Sequence, residues 1–175
     1  EIDEDDSIHE LCEKVFDTSI SEILNVRSQI DQNILENAIE TLVNAKRVEF
    51  YAFGGSAPVA MDGQHKFFRL KIPSSNISDP HLQFMSANSL EKEDVVVAIS
   101  QSGTTTALIE SVKIVRKNGA KVIGIMPGDT PLANICDYPL TINVGINNRI
   151  SKPVTSRIAY TAVIDVLTMG VAQLL

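Results

Sequence analysis

Apolar runs and helical periodicities alternate along this chain, and the period of the pattern changes near residue 48. Two amphipathic segments come first. Ser7 and Glu10 have the spacing of a capping box, and Ile8, Leu11, Cys12, Val15, Phe16 and Ile23 recur behind them at helical intervals. Asp31 is placed to cap a second helix with Ile34, Ala38, Leu42 and Ala45 along one face. "VEFYAF" (Val48 to Phe53) then reads as a strand stopped by Gly54-Gly55-Ser56, and Pro58 suits the first turn of a helix running to about Arg69. "IPSSNI" (Ile72 to Ile77) is a weaker strand, followed by a loop at Asp79-Pro80-His81. "DVVVAIS" (Asp94 to Ser100) is apolar without alternation, the pattern of a strand covered on both faces. Helix is expected from Thr106 to Lys117 and strand from Lys121 to Met126. A turn at Pro127-Gly128-Asp129, a short helix from about Pro131 and a strand near Leu140 to Val144 follow, and the last helix spans roughly Lys152 to Leu174.

Strands that alternate with helices predict a parallel sheet with helices on both faces. Right-handed crossovers make a three-layer α/β fold the simplest arrangement, a doubly wound five-stranded sheet in the flavodoxin-like order 2-1-3-4-5. One domain is expected, with leading helices over 1–46, an α/β core over 47–150 and a C-terminal helix over 151–175. In that order the chain reverses between the first and third strands, and ligands of such sheets sit in the crevice there. The loops facing it are "GGSAP" and "SQSGTTT".

Composition narrows the reading further. With 15 Lys+Arg against 22 Asp+Glu the formal charge is −7, so this chain alone is expected to repel nucleic acid. Cys12 and Cys136 are far apart and form no CxxC, which fits a reduced cytoplasmic compartment. No apolar run is expected to span a membrane and no signal-peptide pattern is apparent. The chain opens "EIDEDDS" without Met, so a piece of a longer protein is expected.

The stretch "VVVAISQSGTTTALIESV" (Val95 to Val112) carries the candidate chemistry. A buried strand passes straight into Ser100, Gln101, Ser102, Gly103, Thr104, Thr105 and Thr106, and a helix begins. A helix N-terminus has unpaired N–H groups and partial positive charge. Hydroxyl donors and a glycine that admits close backbone approach turn such a terminus into a phosphate site. Ser56, beside Gly55 in the first loop, reaches toward the same place. Capping alone accounts for one hydroxyl, whereas five fall between Ser100 and Thr106. Neither G-x-x-x-x-G-K nor G-x-G-x-x-G is present, so this is neither a Walker loop nor a dinucleotide fingerprint.

"AISQSGTTTALIESVKIVRKNGAKVIGI" resembles the sugar isomerase (SIS) domain, whose S-x-S-G-x-T loop holds the phosphate of a phosphosugar. The resemblance implies Ser100, Gln101, Ser102 and Thr105 as phosphate ligands, with Ser56 from the first loop. "AFGGS" departs from the family's G-x-G-x-S at Ala52, and Thr104 stands where related loops often carry a basic residue. "HKFFRLKIP", "DPHLQFMSA" and "TSRIAYTAVIDVLTMGVA" are similar to the RpiR family of bacterial transcription regulators, over essentially the whole chain. That branch implies an effector domain sensing 2-keto-3-deoxy-6-phosphogluconate in sugar catabolism. It also implies an N-terminal helix-turn-helix outside this chain, through which alone DNA is bound.

An aldose–ketose isomerase is the alternative, and it needs a general base. Glu110 shares a helix face with Lys113 and Lys117, the pattern of a solvated ion-pair surface. His65 and His81 are candidates to meet a sugar hydroxyl, with packing or surface exposure as the other reading; His9 needs no function. The histidines lack metal-ligand spacing, so neither a metal nor a cofactor is expected. Arg157 sits at the start of the last helix, where its charge opposes the dipole. An anion partner is expected for it, the ligand's carboxylate or an acidic side chain. Lys66 and Arg69 could serve similarly, with solvation at the surface as the preferred reading for both. Between Ile158 and Leu175 the only formal charge is Asp165, which predicts a homodimer built largely through this helix.

Overall fold

The computed structural model describes residues 5–144 and 152–175, the side chains of 152–155 excepted. Helix α1 (Ile8–Gln29) opens with the expected capping box. The Ser7 N–H donates to Glu10 Oε2 at 2.9 Å and the Glu10 N–H to Ser7 Oγ at 3.3 Å. Asp31 caps α2 (Gln32–Val43) by accepting from the N–H groups of Asn33 and Ile34. The sheet then forms from β1 (Arg47–Tyr51), β2 (Ser74–Ile77), β3 (Asp94–Ile99), β4 (Lys121–Met126) and β5 (Tyr138–Thr141). All neighbours are parallel and the order is β2-β1-β3-β4-β5, as the alternation of elements predicts. Its helical connections are α3 (Ala57–Arg69), α4 (Pro80–Ser89) and α5 (Thr106–Lys117), and α6 (Lys152–Leu174) closes the chain.

The unbroken apolar run of β3 has a simple cause. Val95, Val97 and Ile99 enter a core beneath α1, α2, α3 and α6, while Val96 and Ala98 enter a second core beneath α4 and α5. Both faces of the central strand are therefore covered.

Four details differ from the sequence reading. The segment around His81 is helix α4 rather than loop, started by Asp79, whose side chain accepts from the Leu82 N–H at 2.8 Å, and by Pro80 in the first turn. Only Gln83 and Ala87 of α4 are buried, whereas Leu82, Phe84 and Met85 are more than half exposed, so the helix has no apolar stripe to read. The helix expected from Pro131 is a single 3-10 turn, Ala133–Ile135. Strand β5 begins two residues earlier than expected, because the Asp137 carboxylate binds the Val122 N–H at 2.9 Å and sets the register Ile123↔Tyr138. Pro139 is tolerated because β5 is an edge strand.

Finally, the stretch Ser156–Leu174 of α6 is long and apolar enough to cross a membrane, against expectation. In this fold it lies on the sheet, with Ala159, Tyr160, Val163, Ile164, Leu167 and Val171 in the core. Helices α1, α2 and α3 all pack on it.

Candidate functional site

Two loops leave the carboxyl ends of β1 and β3, the adjacent strands between which the winding reverses. The first passes through Ala52 and Phe53 into a 3-10 turn, Gly54–Ser56, that leads into α3. Gly54 has φ +52°, a left-handed conformation that costs glycine little. Ser56 is buried, its N–H donates to the Phe53 carbonyl at 3.1 Å, and its hydroxyl does not cap α3.

The second loop is a tight turn held by its own hydroxyls. The Ser100 N–H continues the β3 ladder to the Ile125 carbonyl, after which Ser100 Oγ accepts from the Gly103 N–H at 2.9 Å. Ser102 Oγ accepts from the Thr104 N–H at 3.3 Å, and the two serine oxygens lie 3.5 Å apart. Gly103 has φ +66°, and a Cβ there would fall 2.3 Å from Thr130 Oγ1. Thr130 is itself fixed, donating to the Pro127 carbonyl and accepting from the Ala133 N–H, while the Leu132 N–H donates to the Gly103 carbonyl. Thr105 is the N-cap of α5, yet its hydroxyl makes no cap bond. The start of α5 borders the crevice through Thr105 and Leu108, and a helix start is where backbone N–H donors are left without helical partners.

The loops enclose a cavity of about 180 Å³. Gly55, Ser56, Ser100, Gln101, Ser102 and Thr105 form its polar wall over a floor of Phe53, Ile99 and Leu108. Gln101 Nε2 is buried there without a hydrogen-bond partner. Every side-chain polar group of this described lining is a neutral hydroxyl or amide, so the cavity suits an oxyanion that accepts hydrogen bonds.

The remaining candidates lie elsewhere. Gly103 shapes the turn from behind, and Thr104 is exposed, outside the cavity wall. His65 is exposed on α3, and His81 is exposed in the first turn of α4. Glu110 is an exposed partner of Lys113, at 2.8 Å. Arg157 does not open its helix: α6 starts five residues earlier, which removes most of the dipole conflict. Its Nε is buried without a partner, beside a separate groove of about 490 Å³ between α1 and α6, next to Ile23, Thr161 and Asp165. Lys66 is no solvated lysine, since it binds Asp62 at 2.5 Å and Asp165 on α6, and the pairing raises its pKa against the effect of burial.

Two residues escaped the sequence reading. Tyr160, buried in α6, donates its hydroxyl to the Ser100 carbonyl at 3.3 Å, and Thr130 buttresses Gly103. A tyrosine within the mostly apolar run after Arg157 is the one signal for the first, and the threonine after the Pro-Gly-Asp turn gives none for the second.

A doubly wound sheet with a hydroxyl-lined helix terminus at its switch point defines a class of small-molecule oxyanion-binding domains. Residues 41–170 match the family model of the SIS domain, and the chain belongs to that family. It is 37% identical over 169 residues to the HTH-type transcriptional regulator HexR of Escherichia coli, covering 97% of this chain and 58% of that protein. The chain thus spans little more than half the length of that relative. It is also 40% identical to the bifunctional protein glk of Burkholderia orbicola, over 91% of this chain but only 25% of the relative. Among solved structures, Vibrio vulnificus NanR complexed with ManNAc-6P superposes with TM-score 0.87 at 19% identity, over 93% of this chain and 62% of that one.

Proposed function

We propose that this chain is the effector-sensing domain of a bacterial transcription regulator of sugar catabolism. It binds a phosphorylated sugar acid, 2-keto-3-deoxy-6-phosphogluconate, without transforming it. The observation that carries the reading is the cavity between the Gly54–Ser56 turn and the Ser100–Thr105 loop. Ser56 and Thr105 head the helices there and leave their hydroxyls out of the caps, and Gln101 brings a buried donor with no partner. Each hydrogen bond to a charged phosphate oxygen contributes about 1.5–3 kcal/mol, so three or four hold the group without Lys or Arg. The likeness to HexR and the ManNAc-6P named with NanR support a phosphosugar effector. The described lining holds no carboxylate or imidazole to serve as a base, which favours binding over isomerisation.

In the intact regulator a helix-turn-helix domain reads DNA, and the domain pairs with a second copy through α6 and α1, in the cytoplasm. Arg157 is the candidate for an anion on that side of α6, a carboxylate of the ligand or of the partner copy.

A thermal-shift screen against phosphorylated sugars and sugar acids tests the reading. A ligand present at 100 times its Kd adds about 2.7 kcal/mol. A shift with phosphorylated acids, and no interconversion of aldose and ketose phosphates by NMR, is expected. Turnover abolished by Glu110→Gln, His65→Ala or His81→Ala favours the isomerase instead.

A further inference from the structure

We propose that Tyr160 couples the phosphate loop to α6, so that closure of the loop on a phosphate is transmitted to the helix layer that α6 shares with α1. The proposal rests on the reading of the cavity as a phosphate site.

Tyr160 is 1% exposed, and its neighbours on α6, Ala159, Val163, Ile164 and Leu167, are buried and apolar. A phenylalanine would fill the same space without the cost of burying a hydroxyl. The hydroxyl therefore needs a partner, and it takes the carbonyl of Ser100, the residue that starts the loop. Burial pushes the phenol's pKa up, so it remains a neutral donor. The contact is 3.3 Å long, against roughly 2.5–3.0 Å for most O–H···O bonds.

Ser100 also sets the geometry of the loop. Its Oγ holds the Gly103 N–H, so the carbonyl bonded to Tyr160 and the turn that faces the cavity share one short rigid segment. The opposite wall is tied to the same helix. Helix α6 touches the Gly54–Ser56 turn, and Lys66 of α3 pairs with Asp165 of α6. Both loops that face the ligand are thus anchored on α6, and α6 packs along α1. A ligand drawing the loops together has a mechanical route into that layer.

The test uses the whole 175-residue chain, with inorganic phosphate and glucose 6-phosphate as probes. Tyr160→Phe removes one hydrogen bond and is expected to weaken binding of both probes by roughly 3- to 10-fold. Hydrogen exchange at matched saturation gives the readout that a merely structural role would not move. In the unmutated chain, phosphate slows exchange in the Ser100–Thr105 loop and in α6 around Tyr160. In the variant, the loop still slows and α6 does not. Equal slowing of α6 in both proteins overturns the coupling and leaves the phosphate site standing. Tyrosine ¹³C labelling of the unmutated chain provides a second measurement that does not depend on the variant folding. Phosphate is expected to shift the ring signal of Tyr160 and leave that of Tyr138, on β5, in place. A Tyr160 signal that stays still at saturation overturns the proposal. If neither probe binds the unmutated chain, the phosphate reading fails and the coupling falls with it.

Discussion

Two independent constraints meet at Gly103, a left-handed φ and the side chain of Thr130 where a Cβ would go. Gly103→Ala is therefore expected to cost roughly 1–3 kcal/mol, from backbone strain and overpacking together. A fall in the urea midpoint at unchanged slope checks this. Ser102 makes the contrasting prediction, because it is exposed and bonds only its own turn. Ser102→Ala should leave the midpoint nearly unchanged and weaken phosphosugar binding about tenfold or more, the loss of one bond to a charged oxygen. Calorimetry with unchanged affinity would remove Ser102 from the site. The hydroxyl run could be read in the sequence because every Ser and Thr in it interrupts a pattern of apolar strand and amphipathic helix. Thr130 and Tyr160 could not, since their roles depend on partners 27 and 60 residues away.

At the scale of elements, legibility followed burial. Strand β3 and helices α2 and α5 bury continuous or periodic apolar positions, and their limits were expected within a residue or two. Helix α4 turns its large apolar residues outward and was missed, although Asp79-Pro80 is a good start signal. Helix α1 posed the opposite problem. Its periodic residues mark a helix correctly, but Ile8 and Phe16 are exposed while Ser19, Glu22 and Val26 are buried, so the periodicity does not say which face is covered. The pairing of α3 with α6 through Lys66 and Asp165 gives a prediction in pH. Burial lowers the Lys66 pKa, but hydrogen bonds to Asp165 and Asp62 outweigh it and the net shift is upward. The contribution is thus fully present below the ordinary lysine value of 10.5 and is lost as pH rises through the raised folded value. Asp165→Asn should lower stability near neutrality, with the gap to the unmutated chain closing in alkali. A gap that does not change with pH in urea titrations would show that the ion pair contributes nothing.

Across the whole molecule, α1 and α6 together present an exposed apolar surface among the described residues. Phe16, Ile20 and Leu24 of α1 and Ile158, Val166 and Met169 of α6 are each at least two-fifths exposed, and the two helices pack together. Helices α1, α2 and α3 already cover much of α6, so a dimer contact built largely through α6 would draw on α1 as well. A contact shared by α1 and α6 is expected to give twice the 19.1 kDa chain mass in sedimentation equilibrium at micromolar concentration, and a monomer there would refute the dimer. With a formal charge of −7, this chain alone should not footprint duplex DNA at physiological salt. The central claim, a site that recognises the phosphate of a sugar acid, is tested most directly by calorimetric titration of the chain with 2-keto-3-deoxy-6-phosphogluconate and with the same acid lacking its phosphate. The account predicts saturable binding of the first, with one ligand per chain, and no measurable binding of the second. Equal affinity for the two, or no heat from either, would contradict it.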